Sequence, residues 1–311
     1  MGCDKTDPFG SSTPTPAQKS ISDLIGSDKN FARLNQAVTK AGVASSLGGN
    51  NLTVFAPDNA AFASAGLDSA TIAKLDAATL ANVLKFHVLS TTVHSTDVQT
   101  VINKEVATLN GTAYLSKFSF GTSAIAIDGA RVTLSDIAAT NGVVHIIDNV
   151  LMPATGTLVD AIKGNPNFTF LLAALTRANL VTALSAAGPF TLFAPTDDAF
   201  KTTSPYKTIA QINAAAPADL AAILQYHVTQ GRVFTTNFVP ESYPVTGGIV
   251  VSNDAAKPGK ITTLAGGSIN VSSDLKLTGT GNGTDAATIT KANILASNGV
   301  IQTIDRVLLP K

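Results

Sequence analysis

The sequence contains the same ordered set of short motifs twice, and this duplication constrains the fold more than any other feature. Three motifs recur in order: TVFAPDNAAF (53–62) as TLFAPTDDAF (191–200), LANVLKFHV (80–88) as LAAILQYHV (220–228), and NGVVHIIDNVLMP (141–153) as NGVIQTIDRVLLP (298–310). Solenoid repeats have periods of about 20–50 residues, and these copies lie much further apart. The sequence therefore predicts two globular domains in tandem.

The ends of the two copies give the domain boundaries. We expect a first domain at residues 20–153 and a second at residues 154–311. Only ATGT (154–157) joins the last motif of the first copy to the next helical pattern, so the domains are expected to abut. The motif spacing widens between Val228 and Thr263, which predicts an insertion with Pro- and Gly-containing loops in the second domain.

Composition excludes several classes of function. Hydrophobic residues make up 45% of the 311 and charged residues 14%, so the chain can bury a sizeable aliphatic core. The formal net charge is zero, and bulk charge therefore attracts neither nucleic acid nor an anionic membrane. No apolar run reaches the length of a membrane span. The one cysteine, Cys3, excludes a disulfide framework and a cysteine-rich metal site.

Residues 1–19 are rich in Ser, Thr, Pro and Gly and show no apolar period, so we expect a disordered tether. The Gly2-Cys3 pair is similar to the end of a bacterial lipoprotein signal, after which the cysteine receives lipid. This similarity predicts an exported protein that is lipid-anchored through Cys3 at the cell surface or in the periplasm. The alternative is an incidental cysteine in a freely secreted protein.

Each copy opens with helical periodicity and ends with β-like segments. LTVFAP and FTLFAP are short apolar segments that indicate buried strands, which end at Pro57 and Pro195. Turn signals at Asn110-Gly111 and Asp128-Gly129 divide the second half of the first copy into strands. Helices first and strands later predict an α+β domain.

The motifs resemble, in type and order, those of fasciclin domains. They are the TVFAP motif, the helix that ends in Phe-His or Tyr-His, and the NGV strand that leads to VLMP or VLLP. The resemblance covers nearly the whole chain, twice over. It implies that each domain is a β-sandwich or wedge with helices packed along its edge. It also implies a secreted or surface-anchored protein that acts in adhesion and partner binding rather than in catalysis.

The histidines of the second motif have two interpretations. His87 and His227 lie on apolar helix faces, which predicts buried neutral imidazoles that hydrogen-bond to the backbone. The resemblance instead implicates Phe86-His87 and Tyr226-His227 in partner contact. The first copy has Phe86 where the family has tyrosine, so a role for the hydroxyl does not extend to the first domain.

Asp136-Ile137 is similar to an Asp-Ile pair that animal members of the family present to integrins. The second copy has Asn293-Ile294 there and loses the charge. The resemblance therefore implies a partner-binding pair in each domain. The alternative is a loop before the last strand, whose isoleucine fills the core.

Two further positions in the last motif favour structural roles. His145 corresponds to Gln302, and because glutamine cannot shuttle protons near neutral pH, a hydrogen-bonding role fits both. Asp148 and Asp305 occur once per domain and cannot form a catalytic pair of carboxylates within a domain. We expect each to make a buried hydrogen bond or a salt bridge.

No G-x-S-x-G, H-E-x-x-H, P-loop or C-x-x-C pattern occurs, so we expect no enzymatic activity. The four histidines fall in separate elements, and we expect neither a metal nor a cofactor. The function favoured is a cell-surface adhesion protein that binds an extracellular protein or polysaccharide. Two alternatives remain open: a carrier that holds a small apolar ligand between the domains, and a hydrolase with an unrecognised site.

Overall fold

The computed structural model describes residues 18–118, 124–240, 249–251 and 259–311. In the first domain the helices are α1 (Ile21–Ser27), α2 (Ala32–Ala41), α3 (Asn59–Ser64), α4 (Ser69–Lys74) and α5 (Ala77–Phe86). The strands are β1 (Leu52–Pro57), β2 (Val88–Leu89), β3 (Val101–Thr108), β4 (Gly111–Phe118), β5 (Ala124–Ile127), β6 (Ala130–Ala139) and β7 (Gly142–Ile147). They form one sheet in the order β2-β1-β7-β6-β5-β4-β3, in which β1 and β7 are parallel and all other neighbours antiparallel.

The second domain follows the same general order of elements, with one additional helix and two additional strands among the described residues. Its helices are α6 (Leu158–Lys163), α7 (Thr169–Arg177), α8 (Val181–Ser185), α9 (Asp197–Thr203), α10 (Ile209–Ala214) and α11 (Pro217–Tyr226). Its strands are β8 (Phe190–Pro195), β9 (Val228–Gln230), β10 (Phe238–Pro240), β11 (Ile249–Val251), β12 (Gly259–Thr262), β13 (Ser268–Val271), β14 (Leu277–Gly279), β15 (Ile289–Ala296) and β16 (Gly299–Ile304). Within the described residues they form sheets β15-β16-β8-β9, β12-β13-β14 and β10-β11.

Both domains are built around one parallel pair of strands. β1 pairs with β7 and β8 with β16, and the registers match: Leu52 lies opposite Gly142, and Phe190 lies opposite Gly299. In each domain the helices pack against the sheet. The predicted α+β architecture in two tandem copies is therefore confirmed.

Apolar clusters cover both faces of the sheet in the first domain, and alternate residues of β1 contribute to each. Leu52 and Val54 pack with the helices, whereas Phe55 packs with residues of β4 and β5. Because both faces are covered, every residue of β1 is buried, which explains why all of them except Thr53 are apolar. The strand ends at Pro57, and Asp58 caps the N-terminus of α3.

The Asn-Gly pair before β7 and β16 recurs for steric and hydrogen-bonding reasons. A Cβ atom on Gly142 would lie 2.0 Å from the carbonyl oxygen of Leu52, and Gly299 is equally restricted. The Asn141 side chain accepts the N–H at the start of α1 (2.9 Å) and donates to two carbonyls before β1 (2.8 and 2.9 Å). Asn298 makes the same three bonds in the second domain. The motif is thus repeated because the fold is repeated.

The second motif forms less helix than its apolar face suggests. The sequence predicts a helical face that runs to Val88 and Val228, but α5 and α11 end two residues earlier, and these valines begin β2 and β9. The predicted turns at Asn110-Gly111 and Asp128-Gly129 are confirmed, since they join β3 to β4 and β5 to β6.

Residues 1–17, with Cys3 and most of the predicted tether, lie outside the described residues. In the part of the chain that is described, no helix has the length and apolar character needed to cross a membrane. The insertion predicted between Val228 and Thr263 contains β10, β11 and β12, and residues 241–248 and 252–258 within it are also outside the described residues.

The two domains are in direct contact. Phe234 and Leu295 of the second domain join the apolar cluster around Tyr114 of the first. The Arg232 guanidinium carbon lies 4.3 Å from the centre of the Tyr114 ring, and Asn103 donates a hydrogen bond to the Arg232 carbonyl at 2.6 Å. The domains therefore abut, as their short connection predicts.

Candidate functional site

The aromatic pairs at the ends of α5 and α11 are buried. Phe86, His87, Tyr226 and His227 are each at most 2% exposed. Side chains buried to this depth offer no surface to a macromolecular partner. The partner-contact interpretation of these four residues therefore does not fit the folded structure.

Each buried histidine joins its helix to the segment after the last strand. His87 donates from Nδ1 to the carbonyl of Val83 (2.8 Å) and accepts the N–H of Leu151 at Nε2 (3.0 Å). His227 makes the same two bonds at 2.8 and 2.9 Å. Burial lowers the pKa of both imidazoles to about 4, so both are neutral near pH 7. These bonds explain why the second motif and the VL-x-P segment occur together.

The hydroxyl of Tyr226 has a separate role in the second domain. It donates to the carbonyl of Ser268 (2.5 Å) and accepts the N–H of Thr280 (3.0 Å). These bonds connect α11 to β13 and to the end of β14. Phe86 at the equivalent position has no hydroxyl and packs in the apolar cluster instead.

Asp136 and Asn293 lie within strands, at equivalent bulges in β6 and β15. The pairing register shifts beside both residues, and their φ angles are +61° and +59°. The expectation of a loop before the last strand is therefore wrong, because one extra residue is accommodated inside each strand. Ile137 and Ile294 pack, partly buried, against the helical cores of their domains.

The side chain of Asp136 is held by the segment that follows β2. Ser95 donates its N–H to Oδ1 (2.8 Å) and its hydroxyl to Oδ2. His94 places Nδ1 3.5 Å from Oδ1, and Asp97 accepts the N–H of His94 at 2.9 Å. We call these four residues the Asp136 site. Sequence reasoning missed His94, Ser95 and Asp97, although residues 93–97 align with residues 233–237 of the second copy.

A second layer of hydrogen bonds supports the bulge in each domain. His145 accepts the N–H of Asp136 at Nδ1 (3.1 Å) and donates from Nε2 to a backbone carbonyl (2.8 Å). Gln302 accepts the N–H of Asn293 (2.9 Å) and donates to the equivalent carbonyl (2.8 Å). An amide thus reproduces both bonds of a neutral imidazole. Burial also lowers the pKa of His145, which keeps the ring neutral.

The Asp136 site is charged and accessible. Burial alone would raise the pKa of Asp136, but the hydrogen bonds from the Ser95 hydroxyl and N–H outweigh it and hold that pKa below its usual value. The Asp136 side chain is 34% exposed and that of His94 is 53% exposed. The site therefore presents a fixed carboxylate beside an exposed imidazole.

The equivalent face of the second domain is covered by the first domain. Phe234 occupies the position of His94, is 1% exposed and packs in the apolar cluster of the first domain. Asn237 occupies the position of Asp97 and exchanges two amide hydrogen bonds with Asn103 of the first domain (3.2 and 3.3 Å). One structural position thus forms the domain interface in one copy and a free charged surface in the other.

Asp148 and Asp305 were expected to make a buried hydrogen bond or a salt bridge, but both side chains are exposed. Each accepts one backbone N–H at 2.7 Å, from Arg131 and Thr288 respectively. The hydrogen bonds are therefore present, but at the surface. Within the described residues, no group of three or more His, Cys, Asp or Glu side chains could hold a metal ion.

A cleft of about 610 Å³ lies between the two domains. Its lining is mixed: Met152 and Leu295 are apolar, whereas Asp128, Asn149 and Lys291 are polar or charged. The alternative of an apolar ligand held between the domains requires a largely apolar pocket there. The charged groups of Asp128 and Lys291 make this cleft less suited to an apolar ligand.

Comparison with known proteins gives the same family for both domains. The fasciclin domain family matches residues 29–153 and again residues 166–310. The Synechocystis protein sll1483 is 34% identical over 167 residues, which cover 53% of this chain and 79% of that protein.

Longer relatives match across both domains. Transforming growth factor-beta-induced protein ig-h3 of Sus scrofa is 29% identical over 272 residues, which cover 87% of this chain and 35% of that protein. Human periostin is 29% identical over 266 residues, which cover 85% of this chain and 29% of that protein. The chain thus spans about a third of the length of these two relatives. A solved FAS1 domain pair from the insect cell adhesion molecule fasciclin I matches with 19% identity and a TM-score of 0.41, over 90% of this chain and 97% of that one.

Proposed function

The chain belongs to the fasciclin family, and we propose that it is a non-catalytic adhesion protein that works outside the cytoplasm. It binds an extracellular macromolecule, a protein or a polysaccharide, through the Asp136 site of its first domain. The family resemblance implies secreted or surface-anchored proteins that act by binding, and the proposal assigns that role to one defined face.

One observation carries the choice of this face. The equivalent position in the second domain already makes a macromolecular contact, because Phe234 and Asn237 pack against the first domain. The first domain has the same bulge with the same supporting hydrogen bonds, and within the described residues no other domain packs on it. His94 and Asp97 occupy the positions of Phe234 and Asn237 there. A scaffold that forms an interface in one copy therefore presents a charged version of it in the other.

The chemistry of the site favours a partner that carries positive charge. The Asp136 carboxylate is fixed by Ser95 and by the bulge, so binding costs little side-chain entropy. Charge-assisted hydrogen bonds to a fixed carboxylate are roughly twice as strong as neutral ones. Lysine or arginine side chains, or the amino groups of an amino sugar, would complement it.

We further propose that residues 1–19 tether the domains to a membrane through a lipid on Cys3. The sixteen residues after Cys3, as a flexible chain, would have a root-mean-square reach of about 20–24 Å, at about 5–6 Å times the square root of the residue number. That distance would hold the first domain clear of most lipid headgroups. Stable anchoring requires two or more acyl chains, since one chain binds only marginally.

Substitution of Asp136 by Asn tests the proposed binding face. In the second domain Asn293 occupies the equivalent bulge and hydrogen-bonds to Thr235, which corresponds to Ser95. An asparagine at position 136 can therefore make the same bonds to Ser95, and the variant loses only the charge. We expect the native chain to bind defined members of a glycan array or an array of surface-protein fragments. The D136N variant should bind those members about tenfold more weakly, as expected when a charge-assisted contact is lost.

Asp148→Asn is the matched control, because it removes one exposed carboxylate from the same domain at a different place. It should bind as the native chain does. Equal binding by D136N and the native chain would reject the Asp136 site while leaving adhesion possible elsewhere. Absence of any binding above an albumin control would reject the adhesion function itself.

A further inference from the structure

The two domains contain a cavity at the same place, between the helices and the β1 or β8 strand, but its size differs greatly. Seven pairs of equivalent residues line both cavities, among them Val38 and Leu175, Val43 and Leu180, and Leu84 and Leu224. The cavity volume is about 20 Å³ in the first domain and about 320 Å³ in the second. The fold can therefore close this space, and the second domain leaves it open.

The larger cavity does not result from smaller side chains. Leu175 and Leu180 are larger than the valines at their positions in the first domain, and Phe190 replaces Leu52. Leu52 is buried, whereas Phe190 is only half-buried and lines the open cavity. The second domain therefore leaves the larger space although these apolar side chains are the larger ones, and the side chains that face the space are mostly apolar.

An open apolar cavity is unfavourable, because apolar surface left in contact with water lacks the stabilisation that burial would give. The first domain avoids this loss with the same fold. A volume of about 320 Å³ lies at the lower end of the range of about 300–1,000 Å³ that is typical of ligand sites. The size therefore matches a small ligand.

The lining defines the chemistry of that ligand. Among the described residues that line the cavity, Gln225 is the one with a polar side chain, and none is charged. The smaller cavity of the first domain has the charged Lys85 at this position, whereas the larger cavity has the neutral Gln225. Leu264, which is 47% exposed, extends the apolar lining toward solvent.

We propose that the second domain binds a small uncharged apolar molecule in this cavity, an aliphatic chain or ring with at most one hydrogen-bonding group. That group would meet the amide of Gln225. The site lies within one domain, unlike the interdomain carrier site that the sequence alternative suggested. It is also separate from the Asp136 site, so either proposal can fail without the other.

The test uses the neutral dye N-phenyl-1-naphthylamine, whose fluorescence rises in apolar surroundings, with 1-decanol as competitor. Ala183→Trp places a large side chain at the exposed wall of the open cavity, and Ser46→Trp makes the same change at the equivalent position of the closed one. The chain contains no tryptophan, so each variant also carries a single fluorescence reporter.

We expect the native chain to bind one dye molecule saturably and 1-decanol to displace it. A183W should weaken dye binding by about tenfold or more, since even one methylene in an apolar pocket changes binding on that scale. S46W should bind within about twofold of the native chain. Non-saturable binding, or equal effects of the two variants, would overturn the proposal. If circular dichroism shows that A183W is misfolded, Ala183→Leu, which adds less volume at the same wall, decides the question by the same criterion.

Discussion

Replacing Asp128 with Asn tests the electrostatic cost of a carboxyl group buried beside the domain interface. Asp128 lies in the turn between β5 and β6 and is 7% exposed. Its Oδ1 accepts the N–H of Tyr114 at 2.8 Å, whereas Oδ2 has no hydrogen-bond partner in the described structure. Arg232 of the second domain attracts the carboxylate electrostatically, and its guanidinium donates a hydrogen bond to the carbonyl of Ser297.

Burial raises the pKa of Asp128 from its ordinary value of 3.8 to about 7, although the Tyr114 N–H and Arg232 both favour the charged form. The folded chain therefore holds this proton more tightly than the unfolded chain does. The contribution of Asp128 to stability is unaffected below about pH 4, falls between pH 4 and pH 7, and stays low above pH 7. A shift of about three units at about 1.4 kcal/mol each gives an upper value of about 4 kcal/mol.

The asparagine side chain of the D128N variant would keep an oxygen to accept the Tyr114 N–H and could not ionise. We expect D128N to raise the free energy of unfolding by about 2–4 kcal/mol at pH 8, and by much less at pH 4. Urea unfolding of D128N and the native chain at pH 4, 6 and 8 measures this difference in the free energy of unfolding. Both chains contain the same histidines, so the pH dependence that histidine titration contributes cancels in the difference. The control is Asp148→Asn, which removes an exposed carboxylate. A stability difference between D128N and native that did not vary with pH would refute the argument.

Two other substitutions test the buried histidines and the anchor. His87→Gln should lower the free energy of unfolding by about 1–3 kcal/mol near pH 7, because it damages bonds to Val83 and Leu151, while the exposed His94→Gln changes little in the same urea assay. The pKa of His87 is lowered to about 4, so the native chain loses this stability as pH falls from about 6.5 toward 4, and H87Q should show a shallower decline. Cys3→Ser, expressed behind a lipoprotein signal peptide, should leave the membrane fraction, whereas the native chain should remain there and carry lipid on its N-terminal peptide. Equal partition of the two forms, with no lipid mass on the N-terminal peptide of the native chain, would reject the lipid anchor.

The sequence was informative wherever a residue's role depends on its own domain. The tandem architecture, the buried β1 and β8 strands and the paired bonds of His145 and Gln302 follow from motifs whose partners lie in the same copy. Comparison of the copies predicted that His145 and Gln302 each make hydrogen bonds in their own domain. Glutamine can donate and accept hydrogen bonds as histidine does, but it cannot exchange a proton near neutral pH.

Other features depend on register, which local sequence does not determine. Asp136 was expected in a loop and lies at a bulge, because one extra residue can be absorbed inside a paired strand. Asp148 was expected to make a buried hydrogen bond or a salt bridge, yet the side-chain alternation after β7 turns it toward solvent. The sizes of the two equivalent cavities also do not follow from the volumes of the apolar side chains that line them, since the larger cavity has the larger Leu175 and Leu180.

The contacts between the domains explain how two copies of one fold diverged. Because the bulge face of the second domain packs on the first, Phe234 and Asn237 are interface residues, and a charge at those positions would be buried without a partner. The first domain has no such cover over its bulge within the described residues, so His94 and Asp97 can remain polar and exposed at the equivalent positions. For the cavity, it is the second domain that has the accessible site, since the cavity is nearly closed in the first domain and open in the second. Each copy could therefore specialise a different surface, with an exposed carboxylate site in one and an apolar cavity in the other, while the buried histidine and asparagine bonds that hold the fold stayed the same in both.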